Sequence, residues 1–387
     1  MDNTKKKLTF FEATSIITGY GIGGGVMAVP YLASRNGVFP ALLIMAAAFA
    51  VSILLHLMIA EICSGKNEPR QILEIFRKYI FKGKHANVLT WFFFGLILTT
   101  MLANLAAYVS GAGEILTNLT GMPLMFSQII FYLISAGIVF FGLKVLGISE
   151  KIAVLGIVII LTVLTIASFN VPFNNLPMKP GSPNAALAFF GMIMFSFAAF
   201  FSVPQAVEGL QGDTRKIKLS VICGIGINLV FILVITFISL LVSQEVTEVA
   251  IIGWSAAVGG WANILGSIFI LLAMVTTYWS ISFALAVIVK ERISTGTRLS
   301  WLIATLPSLV PVLLGMSDFL GFMRMAGGSI AILIAVLVIP TYRASRKAHI
   351  WEFDYKMTLG LFGTAPFQIL VVIGYLLMMV GSIIPLE

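Results

Sequence analysis

The chain has 387 residues, of which 59% are hydrophobic and only 10% charged, and its mean hydropathy is +1.04. Soluble domains carry about 25% charged residues, so the composition excludes a soluble globule and identifies an integral membrane protein. The apolar runs are about 20 residues long without strict alternation, which selects helices over a β-barrel.

Eleven spans are predicted in chain order: 11–33, 38–63, 86–116, 123–143, 150–170, 185–210, 217–242, 257–289, 299–317, 320–340 and 360–383. With the N-terminus placed inside, 21 of the 24 Lys and Arg residues fall on the inner side, and only Arg35, Lys179 and Arg324 fall outside. That is the positive-inside pattern. The net charge of +8 is thereby explained by topology and anionic inner-leaflet lipid, without nucleic acid. The expected location is a plasma (inner) membrane, with the N-terminus cytoplasmic and the C-terminus extracytoplasmic. The basic stretch 66–84 carries Ile72, Leu73, Ile75, Phe76 and Ile80 and is expected to form an amphipathic helix on the cytoplasmic surface. Cys63 and Cys223 give neither a disulfide framework nor metal spacing and read as structural thiols.

Within the first span lies TGYGIGGGVMAVPY, residues 18–31. Gly19, Gly21 and Gly24 have the spacing of a dinucleotide-binding turn. That reading needs a preceding strand and an acidic residue about 20 positions on, and neither is present. Gly21, Gly23, Gly24 and Gly25 exceed what close helix packing needs, at about 1 kcal/mol each relative to Ala inside a helix. Pro30 adds a missing donor. The helix is therefore predicted to unwind here, which membrane depth tolerates only beside protein or a watery cavity. A second such segment, FSFAAFFSVPQAVEGLQG, spans 195–212, with Val203-Pro204 echoing Val29-Pro30. The two breaks open two sets of five spans. Five is odd, so the second set enters from the opposite side. This predicts an inverted repeat: 11–170 as the first half, 185–340 as the second and 360–383 as an extra helix. Paired interruptions point to the binding site of a secondary transporter. Half-helices ending at midplane present N–H groups to an anion and C=O groups to a cation, which suits an amino-acid zwitterion. The Gly21–Gly25 backbone would hold its carboxylate, and carbonyls around Ser196–Ala199 its ammonium.

Gly21-Ile22-Gly23-Gly24-Gly25-Val26-Met27-Ala28-Val29-Pro30 resembles the glycine-rich first-helix signature of the hydroxy and aromatic amino acid permeases. Phe195-Ser196-Phe197 through Pro204 resembles their sixth-helix motif. Val29 stands where leucine is usual, and Ser202-Val203 where a histidine often precedes the proline. The resemblance implies the amino acid–polyamine–organocation superfamily: an all-α LeuT-like 5+5 inverted repeat with an eleventh helix, and interrupted first and sixth helices. It implies that the third helix lines the cavity, making Tyr108 and its neighbour Asn104 candidates. It also implies that eighth-helix hydroxyls, from Thr276, Thr277, Ser280 and Ser282, could face carbonyls of Gly19 and Ile22 to bind Na⁺. Some proton-coupled relatives have a lysine in mid fifth span; here Lys151 is too near the cytoplasmic end.

Intramembrane ionisable residues are costly and therefore functional candidates. Either His56 or Glu208 could carry a coupling proton. Arg35 and Asp318 could form an outer gate, and Glu114 reads as interfacial. Phe195, Phe197, Phe200 and Phe201 flank the second break and could wall a pocket for an apolar side chain. The expected function is a secondary amino acid transporter coupled to H⁺ or Na⁺ with no other cofactor, its partners being a small zwitterion and the lipid bilayer. The rival readings are a transceptor of the same fold and a channel. An intramembrane enzyme lacks any catalytic motif here.

Overall fold

The computed structural model describes residues 7–65, 71–211, 213–317, 319, 321–322, 326–327, 329, 333, 337–348 and 358–384. The tenth span therefore lies partly outside the described residues, as do Asp318 and Arg324.

The first span is two helices, α1 (Phe10–Gly21) and α2 (Gly24–Asn36), bent by 53° at Ile22 and Gly23. Thr9 starts α1 through a reciprocal capping box: the Glu12 N–H donates to Thr9 Oγ1 at 3.3 Å, and Glu12 Oε2 accepts from the Thr9 N–H at 2.8 Å. The same carboxylate pairs with Lys144 at 2.7 Å. Pro30 sits inside α2, so the glycines alone mark the break and the proline does not. Gly37 then turns the chain in a single residue, with φ 74° and ψ 151°, into α3 (Val38–Cys63). That conformation belongs to glycine.

The helix α4 (Ile72–Tyr79) forms as expected, but its apolar face is covered by protein. Ile72, Leu73, Ile75, Phe76 and Tyr79 are buried against α5 (Ala86–Thr120) and α15 (Ile339–Ala348). With that face occupied, no apolar stripe remains to lie on lipid.

The chain continues through α6 (Leu124–Phe140) and α7 (Leu143–Ser168). The second broken span is α8 (Pro183–Ser196) and α9 (Val203–Gly209), with residues 197–202 irregular between them. Pro204 occupies the first turn of α9, where a missing N–H costs nothing. Then come α10 (Thr214–Val242), the short α11 (Ala250–Val258), α12 (Gly260–Ile293), α13 (Thr297–Thr305) and α14 (Leu309–Leu313). After α15, the helix α16 (Ala365–Ile383) packs along α8. The Glu61 carboxylate at the end of α3 draws these late segments together: it accepts from Tyr342 Oη at 2.8 Å and the Leu359 N–H at 3.1 Å, and pairs with Arg346 at 3.1 Å.

Six helices among the described residues are long and apolar enough to cross a membrane, and the bent first pair makes a seventh. The core lies where α1 meets α7, α10 and α12, and where α2 meets α8 and α10.

One boundary differs in a way that matters. The fifth span begins at Leu143, seven residues before the expected 150, because Lys144 finds Glu12 and need not stay in solvent. Glu150 is consequently two turns inside a helix.

Candidate functional site

Where α1 ends, the Ile22 N–H caps back to the Thr18 carbonyl at 3.0 Å. The next helix starts at Gly24, so the Gly24 and Gly25 amides have no helical partner, while the Val26 N–H donates to the Gly23 carbonyl at 3.2 Å. At the second break the Phe197 N–H caps to Ile193 at 3.1 Å, and α8 ends at Ser196. The two ends touch: a Cβ placed on Gly25 would lie 2.7 Å from Ser196 Oγ and 3.3 Å from Ser196 Cα, and one on Gly21 would lie 3.4 Å from the Ser196 carbonyl oxygen. A helix N-terminus, which favours an anion, thus faces a helix C-terminus, which favours a cation.

Between them is a narrow cavity lined by Tyr20, Gly21, Gly23, Gly25, Asn104, Tyr108, Phe195, Ser196, Ala198 and Thr277. At about 10 Å³ it has room for about one water molecule, so its walls must part to admit an amino acid. The Tyr108 hydroxyl bonds to the Gly24 backbone and the Thr277 hydroxyl. Several buried polar atoms around the cavity have no hydrogen-bond partner: Tyr20 Oη, Asn104 Oδ1, and both amide atoms of Asn228, whose Nδ2 abuts Gly21. Unsatisfied buried polar groups are rare and call for an explanation; groups awaiting a polar ligand supply one.

Of the residues singled out from sequence, Gly21, Gly23, Gly25, Asn104, Tyr108, Phe195, Ser196 and Thr277 meet at this cavity, with Gly24 at its edge. Phe197 and Phe200 do not. Phe197 packs edge-on against Phe49 of α3, with ring centroids 5.8 Å apart, and Phe200 packs on Phe201 at 4.5 Å and beside His56 at 6.4 Å. The six irregular residues turn these two rings away from the cavity into the core.

His56 is also placed differently from expectation. Its Nε2 accepts from the Ala199 N–H at 3.0 Å while Nδ1 lies 2.6 Å from the Ser52 carbonyl. The ring is thus neutral, with the proton on Nδ1, and it braces the second break. The Ala199 N–H is shared with the Phe197 carbonyl at 2.9 Å and the Ala199 carbonyl accepts from the Ser202 N–H at 3.0 Å, while the Ser196 carbonyl oxygen faces Gly21 at the cavity wall. Glu208 opens instead into a separate cavity of about 1110 Å³ with Lys290, Glu291, Arg298 and Trp301. Arg35 stacks on Tyr31, and its expected partner Asp318 lies outside the described residues.

The α12 hydroxyls divide. Thr277 Oγ1 donates to the Gly19 carbonyl at 2.9 Å, and Ser280 Oγ lies 3.4 Å from the Ile16 carbonyl. Thr276 bonds back to Ala273, and Ser282 to Tyr278. Ile22 offers its N–H to its own helix, and the α1 carbonyls that meet α12 are those of Gly19 and Ile16. Glu150, which sequence reasoning passed over, enters the same place: its Oε1 accepts from Ser280 Oγ at 2.7 Å. The assembled groups are all oxygens, the donor set that suits a hard monovalent cation. Among the described residues no three His, Cys, Asp or Glu side chains cluster as a transition-metal site would require.

Comparison with known proteins agrees with this architecture. The chain is 24% identical over 377 residues to glutamine transporter 2 of Aliivibrio fischeri, covering 91% of this chain and 95% of that one. It is 22% identical over 373 residues to tyrosine-specific transport system 1 of Haemophilus influenzae, covering 90% and 91%. Among solved structures it resembles MhsT in complex with L-phenylalanine, with a TM-score of 0.68 and 13% identity, covering 97% of this chain and 99% of that one. It also resembles Mhp1, a nucleobase-cation-symport-1 family transporter, with a TM-score of 0.61 and 14% identity, covering 99% and 92%. At such identities these two likenesses establish the fold, a LeuT-like bundle with interrupted first and sixth spans. Residues 6–381 match the tryptophan/tyrosine permease family, and the chain is thereby a multi-pass membrane permease, not an enzyme, and a member of that family.

Proposed function

We propose that the chain is a secondary active transporter of amino acids with aromatic or other apolar side chains, coupled to H⁺ or Na⁺ and working by alternating access. The observation that carries this reading is the pairing of the two helix breaks across one contracted cavity ringed by unpartnered polar atoms. The α2 amides with Tyr108 receive the substrate carboxylate, and the Ser196 carbonyl receives its ammonium. Phe195, Tyr20 and Ala198 offer the side chain an apolar wall with one polar point. The relatives named for glutamine and tyrosine bracket that choice.

The N-terminus lies in the cytoplasm, as the distribution of Lys and Arg favours, and one bundle of helices rocks about the site between the two breaks. Closure of the cavity around substrate is one state, and parting of α2 from α8 or of α1 from α12 gives the two open ones.

The test is a thermal-unfolding screen of the purified protein against the twenty amino acids, with and without Na⁺, followed by exchange of labelled for unlabelled amino acid in proteoliposomes. A ligand at a hundredfold its Kd stabilises by about 2.7 kcal/mol, which is readily seen. Stabilisation by a small set of amino acids together with saturable exchange supports the reading. No stabilisation by any amino acid and no exchange would overturn it.

A further inference from the structure

We propose that Glu150 supplies the carboxylate that takes up the coupling cation, at the flank of the first broken helix; this rests on the transport reading above and assigns its ion site. Glu150 is fully buried on α7. Its Oε1 is held by Ser280, and its Oε2 has no hydrogen-bond partner. That free oxygen points at the last turn of α1: a Cβ on Gly19 would run into it and would lie 2.9 Å from Glu150 Cδ and 3.1 Å from Thr276 Cβ. The Gly19 and Ile16 carbonyls and the Thr277 and Ser280 hydroxyls line the same turn.

Among the described residues no cation is placed to neutralise this group. The helices packed against α7 are α1, α6, α9, α10, α11 and α12. From α1 come Glu12, already paired with Lys144 of α7, and Tyr20. The charged residues of α12, namely Lys290, Glu291 and Arg292, begin about 15 Å beyond Ser280 along the helix. On α10, Arg215, Lys216 and Lys218 occupy the first turns and Cys223 is half-buried, while the α10 side chain that meets Gly21 of α1 is the uncharged Asn228. Glu208 of α9 opens into the large separate cavity. Tyr132 is the titratable residue of α6, and α11 has none. Lys151 follows Glu150 directly and so points about 100° away around the helix.

A carboxylate buried without a counter-charge costs several kcal/mol. The site is therefore stable when it holds a small cation, whether a proton on Oε2 or a Na⁺ among the surrounding oxygens. The link to substrate runs through Thr277, which bonds the Gly19 carbonyl beside Glu150 and also lines the substrate cavity. A cation drawing Glu150, Gly19 and Thr277 together fixes the end of α1 and hence Gly21 and Gly23. Its departure leaves an unpaired carboxylate that favours separation of α1 from α7.

The test uses full-length protein in proteoliposomes, with a radiolabelled mixture of the twenty L-amino acids as probe. Exchange is measured with the mixture on both sides and no ion gradient. Accumulation is measured in two arms, an inward Na⁺ gradient at equal pH and an inward proton gradient without Na⁺. The arm that drives the wild type identifies the cation. Glu150→Gln is expected to lose accumulation in that arm by tenfold or more, and the exchange it keeps is expected to be independent of the cation. Ser280→Ala, which frees Oε1, is expected to raise the half-saturating cation concentration for accumulation several-fold, and it serves if Glu150→Gln fails to insert or loses exchange altogether. The proposal is overturned if Glu150→Gln accumulates like the wild type or keeps the wild type's cation dependence of exchange, if Ser280→Ala leaves the cation dependence unchanged, or if the wild type exchanges but neither gradient drives it. A wild type that neither exchanges nor accumulates would instead sink the transport reading itself.

Discussion

Replacing Gly25 with alanine is expected to weaken amino acid binding by about fivefold or more while the protein still folds and inserts. The new Cβ would stand 2.7 Å from Ser196 Oγ, 3.0 Å from Phe195 Cδ1 and 3.3 Å from Ser196 Cα. The hydroxyl can rotate away, but it then gives up its 2.8 Å bond to the Met192 carbonyl, worth about 0.5–1.5 kcal/mol. The Cα cannot rotate, so α2 and α8 must separate by a few tenths of an ångström. Overpacking of this kind costs about 1–3 kcal/mol. Alanine in a helix returns about 1 kcal/mol relative to glycine, so global stability changes little. The penalty falls on the closed arrangement, in which the two walls meet across the substrate, and at 1.4 kcal/mol per decade it reads out as roughly 5- to 150-fold in affinity. Equilibrium binding of the amino acid selected by the thermal screen, with unfolding temperature as the control, measures both quantities. A Gly25→Ala protein that binds within twofold of the wild type at an unchanged unfolding temperature would refute the reasoning, because the approach of the two breaks would then be irrelevant to the site.

Tyr108→Phe removes the hydroxyl shared by the Gly24 backbone and Thr277; loss of a hydrogen bond to a charged carboxylate, about 1.5–3 kcal/mol, should lower affinity at least tenfold, as direct binding will show. His56→Leu removes the bonds to the Ala199 N–H, which keeps the Phe197 carbonyl, and to the Ser52 carbonyl; at about 0.5–1.5 kcal/mol each the loss should destabilise the fold by about 1–3 kcal/mol while leaving the ion dependence of uptake unaltered, and a shifted ion dependence would show that the imidazole does more than brace. Lys144→Met strands the Glu12 carboxylate, whose side chain is 4% exposed. The cost should be about 2 kcal/mol, below the range for fully buried pairs, because Lys144 itself is 36% exposed. Adding Glu12→Gln should restore more than half of it in thermal unfolding.

The first break was legible because four glycines in five positions have no other use inside a membrane helix, the second because Val203-Pro204 interrupts the sixth span, and the α12 hydroxyls through the family resemblance, with period 3.6 placing Thr277 and Ser280 on one face. Glu150 was hidden by its neighbours. Lys144 and Lys151 give its surroundings the composition of a loop, and only a non-local partner, Glu12, lets the helix begin earlier and carry the carboxylate inward. Asn228 and Tyr20 are lone polar residues in apolar runs, and no local pattern says what they face. Phe197 and Phe200 lie in the irregular segment of the second break, where no helical period fixes a side chain's direction, so their chemistry suggested a pocket wall that the backbone does not build.

The Glu61 carboxylate joins the foot of α3 to Tyr342, Arg346 and Leu359, residues nearly 300 positions away in sequence. Early and late chain are thus riveted at one extremity of the bundle, far from the hinge-like glycines. Whatever pivoting opens the molecule must carry this knot as a passenger or leave it standing as the frame, and a probe on the neighbouring Cys63 thiol would tell which parts travel.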